Sequence, residues 1–185
     1  FNGFELRAAV APYTGGGYMH TTDDRTPVTF ITRYYLDKIK RLCDAHGTKL
    51  LFVTAPSPVN HTMQRHNEVQ ALADALAVPY LDLNLNTEEL GIDWNLDTLD
   101  GGDHLNYTGC QKATAYLQRY MQTHYTLPDR RDDVRYEAWN KQAEEFEKLP
   151  KEDVYAVIYL AAVIPSYMEE YNPESYINTN IIGTY

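Results

Sequence analysis

The sequence predicts an α/β fold, in which helices cover a parallel sheet. Three observations carry this. Residues 49–55 form a continuous apolar run, the mark of a strand buried on both faces. Residues 28–46 and 61–76 carry apolar side chains at helical spacing. Strand-like and helix-like segments alternate, which implies crossover connections and parallel pairing.

Residues 1–25 hold three consecutive glycines and Pro12, and read as an extended arm or loop. The helix over 28–46 places Ile31, Tyr35, Ile39, Leu42 and Cys43 in register, and Gly47 stops it. The run 49–55 follows as a strand. Residues 56–60 form the loop at its C-terminal end, where open α/β sheets place their sites. The helix over 61–76 turns Val69, Leu72, Ala73 and Leu76 inward. Residues 78–83 form a short strand ending in Asp82. Residues 84–105 read as a long loop carrying Trp94, and loops of that length are uncommon unless functional. A third helix ends near His124, with Asn106 or Thr108 as its cap and Cys110, Thr114, Leu117 and Met121 along one side. Residues 129–148 are charged and read as a surface helix or linker. Residues 154–162 form a buried-strand run, and 173–185 a helix with Tyr176, Asn180 and Ile181 in register.

Composition bounds the function. The chain has 185 residues, 44% of them hydrophobic, enough for one domain or one with a small appendage. Net charge is −10 with no basic run, which argues against nucleic acid or an anionic membrane as partner. No run of about 18 apolar residues is present, so no membrane span is expected, and no signal peptide is visible. Sixteen tyrosines suit carbohydrate-facing surfaces as well as amphipathic packing. Cys43 and Cys110 both sit on apolar helix faces and read as buried thiols without metal-ligand spacing.

The stretch from Asp100 through Gly101, Gly102, Asp103, His104, Leu105 and Asn106 is the most informative in the chain. It sets two carboxylates and an imidazole just ahead of a helix. A carboxylate beside a histidine fixes its tautomer and stabilises its charged form, as general-base work requires. The plainer reading is a turn that caps a helix. Either Asp100 or Asp103 could serve His104. Asp100 is favoured, because adjacent side chains usually diverge while two glycines let the chain fold back. Asp103 then becomes a cap or loop brace. The chain holds three serines, Ser57, Ser166 and Ser175, and Ser57 lies between Pro56 and Pro58. It reads first as a loop serine. Asn60 reads as a turn residue ahead of a helix. His61 and His66, five apart on the expected helix, read as solvated histidines. Asp93, Asp97, Asp100 and Asp103 do not match the EF-hand calcium pattern. No metal or cofactor is expected.

These residues carry a family resemblance. The stretch around His104 resembles the C-terminal catalytic motif of SGNH (GDSL-like) hydrolases, where a neighbouring Asp and His serve a nucleophilic Ser. The likeness runs from about residue 4 to 146, through residues 12–19, 35–39, 50–58, 91–94, 97–100 and 127–132. The resemblance implies a three-layer flavodoxin-like parallel sheet, incomplete here, and chemistry on O-acyl esters. The substrate implied is an acylated carbohydrate or small ester at a bacterial cell surface. His104 would be the general base, Asp100 or Asp103 its orienting carboxylate, and Asn60 an oxyanion donor. Two departures stand out. The family's Asp-x-x-His spacing falls on Gly101, and no Gly-x-Ser turn is present. The expected organisation is an SGNH-like domain over 1–130 without its nucleophile segment, a charged linker or surface helix over 131–150, and a strand–helix appendage over 151–185. A non-catalytic surface or carbohydrate-binding module of the same fold is the alternative.

The tail resembles a second family. Residues 157–162, 172–176 and 178–184 look like part of a nucleotide-sugar epimerase of the extended short-chain dehydrogenase type. Its glycine-rich phosphate loop and Tyr-x-x-x-Lys pair are missing, and Gly15, Gly16 and Gly17 have the wrong spacing to replace the loop. A fragment of such an NAD-dependent enzyme is the third reading.

Overall fold

The computed structural model describes residues 4–148 and 155–158. Within them the fold is mixed α/β, with five helices and two small two-stranded sheets. Strand β1 (Phe4–Arg7) pairs antiparallel with β4 (Tyr155–Ile158). Strands β2 (Phe52–Thr54) and β3 (Tyr80–Asp82) pair in parallel, with Phe52 opposite Tyr80 and Thr54 opposite Asp82. The parallel pair expected from the two apolar runs is therefore present. It is shorter than the runs, and β2 is half-buried rather than covered on both faces.

Helix α1 (Phe30–Ala45) starts where the Thr29 hydroxyl accepts from the Thr32 N–H. It ends before Gly47, whose φ of +66° is the left-handed conformation that terminates a helix. The expected apolar face of α1 is real in spacing but not in burial. None of its residues is buried, and Phe30, Ile31, Tyr34 and Leu42 are exposed. Helix α2 (Met63–Leu76) begins two residues later than expected, because Thr62 is its cap. It packs on β3; Leu72 and Ala73 are buried, whereas Val69 and Leu76 are half-buried.

The expected loop over 84–105 is partly ordered into regular structure. A 3₁₀ turn (Leu83–Asn86) and a short helix α3 (Thr87–Leu90) occupy its start. Asp82 caps the turn through a carboxylate bond to the Asn84 N–H, which lets the chain leave β3 without an open strand end. Helix α4 (Tyr107–His124) is capped by Asn106, whose side chain accepts from the Gly109 N–H. A second 3₁₀ turn (Val134–Tyr136) leads into α5 (Glu137–Glu147), the charged surface helix expected there.

The core is Leu81, Leu83, Leu90, Leu105, Cys110 and Ala113, with Val53, Trp94, Leu117 and Tyr120 packed against it. It lies between the parallel pair and α4. Both cysteines are free; Cys110 is buried, whereas Cys43 is only half-buried. No helix among the described residues is long and apolar enough to cross a membrane. The N-terminal arm is irregular after β1, but it is docked rather than loose. Its Ala11 N–H donates to the Thr98 carbonyl and its Ala11 carbonyl accepts from the Gly101 N–H. Tyr13 N–H reaches the Trp94 carbonyl, and Asn67 holds the Thr22 and Asp24 carbonyls. Residues 155–158 of the expected tail strand are a strand. The rest of that run, the helix over 173–185, Ser166 and Ser175 lie outside the described residues.

Candidate functional site

The His104 loop is built on a buried polar anchor. Thr98 is fully buried and bridges to Leu105 across the loop's base. Its hydroxyl accepts from the Gly102 N–H at 2.7 Å and donates to the His104 carbonyl at 3.2 Å. Leu99 N–H donates to the same carbonyl at 2.9 Å. Asp97, 1% exposed, accepts from the Asp93 N–H, the Thr108 hydroxyl and the Lys112 ammonium. Burial alone would raise the Asp97 pKa, but those donors bring it below the ordinary carboxylate value. Gly101 and Gly102 both take positive φ, +77° and +100°, so the loop doubles back as only glycine readily allows.

That reversal brings Asp100 onto His104. Asp100 Oδ1 accepts from the His104 backbone N–H at 2.7 Å, and Oδ2 meets the ring Nδ1 at 2.6 Å. Asp103 Oδ2 stands 3.8 Å from the same nitrogen. Asp100 is therefore the partner, and Asp103 is the brace: it accepts from the Asn60 amide. The His104 side chain is 54% exposed, so the pair is open to solvent. With Nδ1 donating to Asp100, Nε2 carries the lone pair available for proton transfer.

Across from the pair lies the loop after β2. Ser57, Pro56, Asp103 and His104 border one open groove of roughly 180 Å³. Its floor is apolar, with Val53, Leu83, Leu105, Cys110, Ala113 and Leu117. Burial pushes the Cys110 thiol up to about 11, so it is an apolar lining group rather than a nucleophile at neutral pH. The Ser57 hydroxyl donates to the Gly102 carbonyl at 3.2 Å and accepts from the Asn60 N–H at the same distance. The structure thus gathers His104, Asp100, Asp103, Asn60 and Ser57 at one end of the parallel pair. It gives the Ser57 hydroxyl and the Asn60 amide structural partners.

Two features were missed in the sequence. Asn84 is buried and joins three segments: it accepts from the Ser57 N–H at 2.8 Å and the Tyr18 hydroxyl at 3.1 Å, and donates to the Ala55 carbonyl and Asp82. Burial, then the nearby Asp82 charge, raise the Tyr18 pKa, so its phenol remains a neutral donor. Second, His61 and His66 are not solvated. His61 is 6% exposed, and each ring places a nitrogen 2.8 Å from Asp82 Oδ2. The five-residue spacing misled because Thr62 caps the helix, which leaves His61 outside it. A capping Thr directly after a His, opposite a strand-end Asp, was the available signal. The remaining acidic residues of the loop are dispersed: Asp93 accepts from Asn95, and Asp97 is the buried anchor. No family model matches this chain, and no curated protein or solved structure matches it.

Proposed function

We propose that this chain is an SGNH-type domain of the ester hydrolase or O-acyltransferase class, acting on acylated cell-surface carbohydrate of bacterial origin. One observation carries the reading: the 2.6 Å Asp100–His104 pair opens onto an apolar groove at the strand ends. Asp100 orients the imidazole, and His104 Nε2 accepts a proton. The apolar floor suits a small acyl group, and the polar rim suits the sugar. The finer fold in this proposal is the three-layer flavodoxin-like sheet, of which β2 and β3 would be two strands. Ser57 is the serine at the groove, but its bonds to Gly102 and Asn60 speak for a structural role.

A second reading is a carbohydrate-binding module without catalysis. Tyr13 and Tyr18 pack edge-on against Trp94, and Tyr13 also touches the His104 loop at Gly102, so an aromatic surface adjoins the groove. One titration separates the two. An O-acetylated xylo-oligosaccharide should shift the His104 ring signals in NMR, and its deacetylated form should not. Equal shifts would favour the binding module, and no shift with either would overturn both. Turnover of a small acetyl ester is expected to be negligible and insensitive to Ser57→Ala. Robust turnover abolished by that change would make Ser57 the nucleophile.

A further inference from the structure

We propose that His61, His66 and Asp82 form a binding site for a divalent transition-metal cation of the zinc class, separate from the His104 groove. The three side chains come from three places: the turn before α2, the first turn of α2 and the end of β3. His61 Nε2 and His66 Nδ1 each stand 2.8 Å from Asp82 Oδ2, and all three donor atoms lie within 4.8 Å of one another. Zinc takes imidazole nitrogen and carboxylate oxygen at about 2.0–2.2 Å, which spaces neighbouring ligands roughly 3.3 Å apart in a tetrahedron. Each imidazole nitrogen would move about 0.5 Å away from Asp82 Oδ2 to reach that spacing, within the 4.8 Å that bounds all three donor atoms.

The cluster is buried and held in place. The side chains of His61, His66 and Asp82 are 7%, 15% and 1% exposed, so His66 forms the open side. Asp82 Oδ1 accepts from both the backbone and the side-chain N–H groups of Asn84, which fixes the plane of the carboxylate. The His66 ring stacks on Tyr80 with centroids 5.5 Å apart, which fixes the plane of the imidazole. Such outer supports orient ligands in metal sites. Two neutral imidazoles and one carboxylate match the borderline-soft preference of zinc over magnesium or calcium, and three protein ligands leave a fourth position for water or substrate. Binding needs each imidazole to present a lone pair rather than a proton on the nitrogen that faces Asp82.

The test uses the full chain, stripped with chelator, with Zn²⁺ by calorimetry and Co²⁺ by visible absorption. One equivalent should bind, with the d–d bands of a four- or five-coordinate Co²⁺ site. Loss of an outer-shell support alone costs roughly 10- to 100-fold in metal affinity, so His66→Ala, which removes a ligand, should weaken binding by more than that. His104→Gln should leave affinity unchanged; it disables the exposed Asp100, Asp103 and His104 group, the competing set of donors. If His66→Ala fails to fold by circular dichroism, imidazole ¹⁵N spectra of the unaltered chain decide: Zn²⁺ should move the nitrogens of His61 and His66 and not those of His104. Absence of binding, affinity retained without His66, loss with His104→Gln, or ¹⁵N shifts at His104 instead would each overturn the proposal.

Discussion

Thr98→Val isolates the hydroxyl that holds the His104 loop closed. The side chain keeps its shape and loses one polar atom. That atom is the acceptor for the Gly102 N–H at 2.7 Å, in a place where both Thr98 and Gly102 are buried. The valine methyl leaves this donor without a partner, a desolvation penalty of about 1–3 kcal/mol. The second bond matters less, because the His104 carbonyl keeps the Leu99 N–H at 2.9 Å. The expected loss is therefore about 2 kcal/mol, which for a chain of this size lowers Tm by roughly 4–8 °C. Urea unfolding followed by tryptophan fluorescence should show a lower midpoint at unchanged slope. Amide exchange at Gly102 should quicken more than exchange in α2. A loss under about 0.5 kcal/mol, the range of ordinary surface changes, would refute the claim that this hydroxyl anchors the loop.

Two further outcomes follow from the same anchor. Gly109→Ala should destabilise the chain by about 1–3 kcal/mol even though alanine is the better helix former, because its Cβ would overlap the Asp97 carbonyl oxygen; equal or higher Tm would show that the loop yields freely. Asp97→Asn should cost stability at neutral pH and little at low pH: the folded carboxylate titrates below its unfolded value of about 3.9, so its contribution is complete above that value and disappears as pH falls through the folded pKa. Unfolding curves of both proteins at several pH values test this, and a gap that stays constant below pH ~3 contradicts it.

The parts of this fold that could be read in the sequence are those fixed by local chemistry. The Asn106 cap, the stop at Gly47 and the Gly101–Gly102 reversal each depend on what one or two residues can do with their own backbone, and each occurs where the pattern places it. Asp100 rather than Asp103 meets His104 for the same reason: the fold-back needs only the freedom of two glycines. What the pattern missed depends on contacts distant in sequence. Asn60 meets Asp103 only because the loop after β2 lies beside the His104 loop. The spacing of apolar residues in α1 marks a face, but spacing cannot say what covers it, and Phe30 and Ile31 remain 80% and 56% exposed. A five-residue spacing puts His61 and His66 on different faces of one helix, a rule that fails once His61 precedes the Thr62 cap.

The groove and the histidine cluster are joined through buried polar groups. Asp82 accepts both imidazoles on one oxygen and Asn84 on the other; burial alone would raise its pKa, but the bonds from His61 and Asn84 hold it well below the usual carboxylate range. Asn84 passes the constraint on, holding the Ala55 carbonyl and the Ser57 N–H, and the His61 N–H holds the Ser57 carbonyl at 2.9 Å. Ser57 is thus fixed on both backbone groups by residues that depend on Asp82, while its hydroxyl fixes the loop that carries His104. In a low-dielectric setting a partly broken network costs more than the sum of its single bonds. The backbone at the groove is therefore set by the ends of β2 and β3 and by Asp82, and the Asp100–His104 pair stands at its solvent-exposed side.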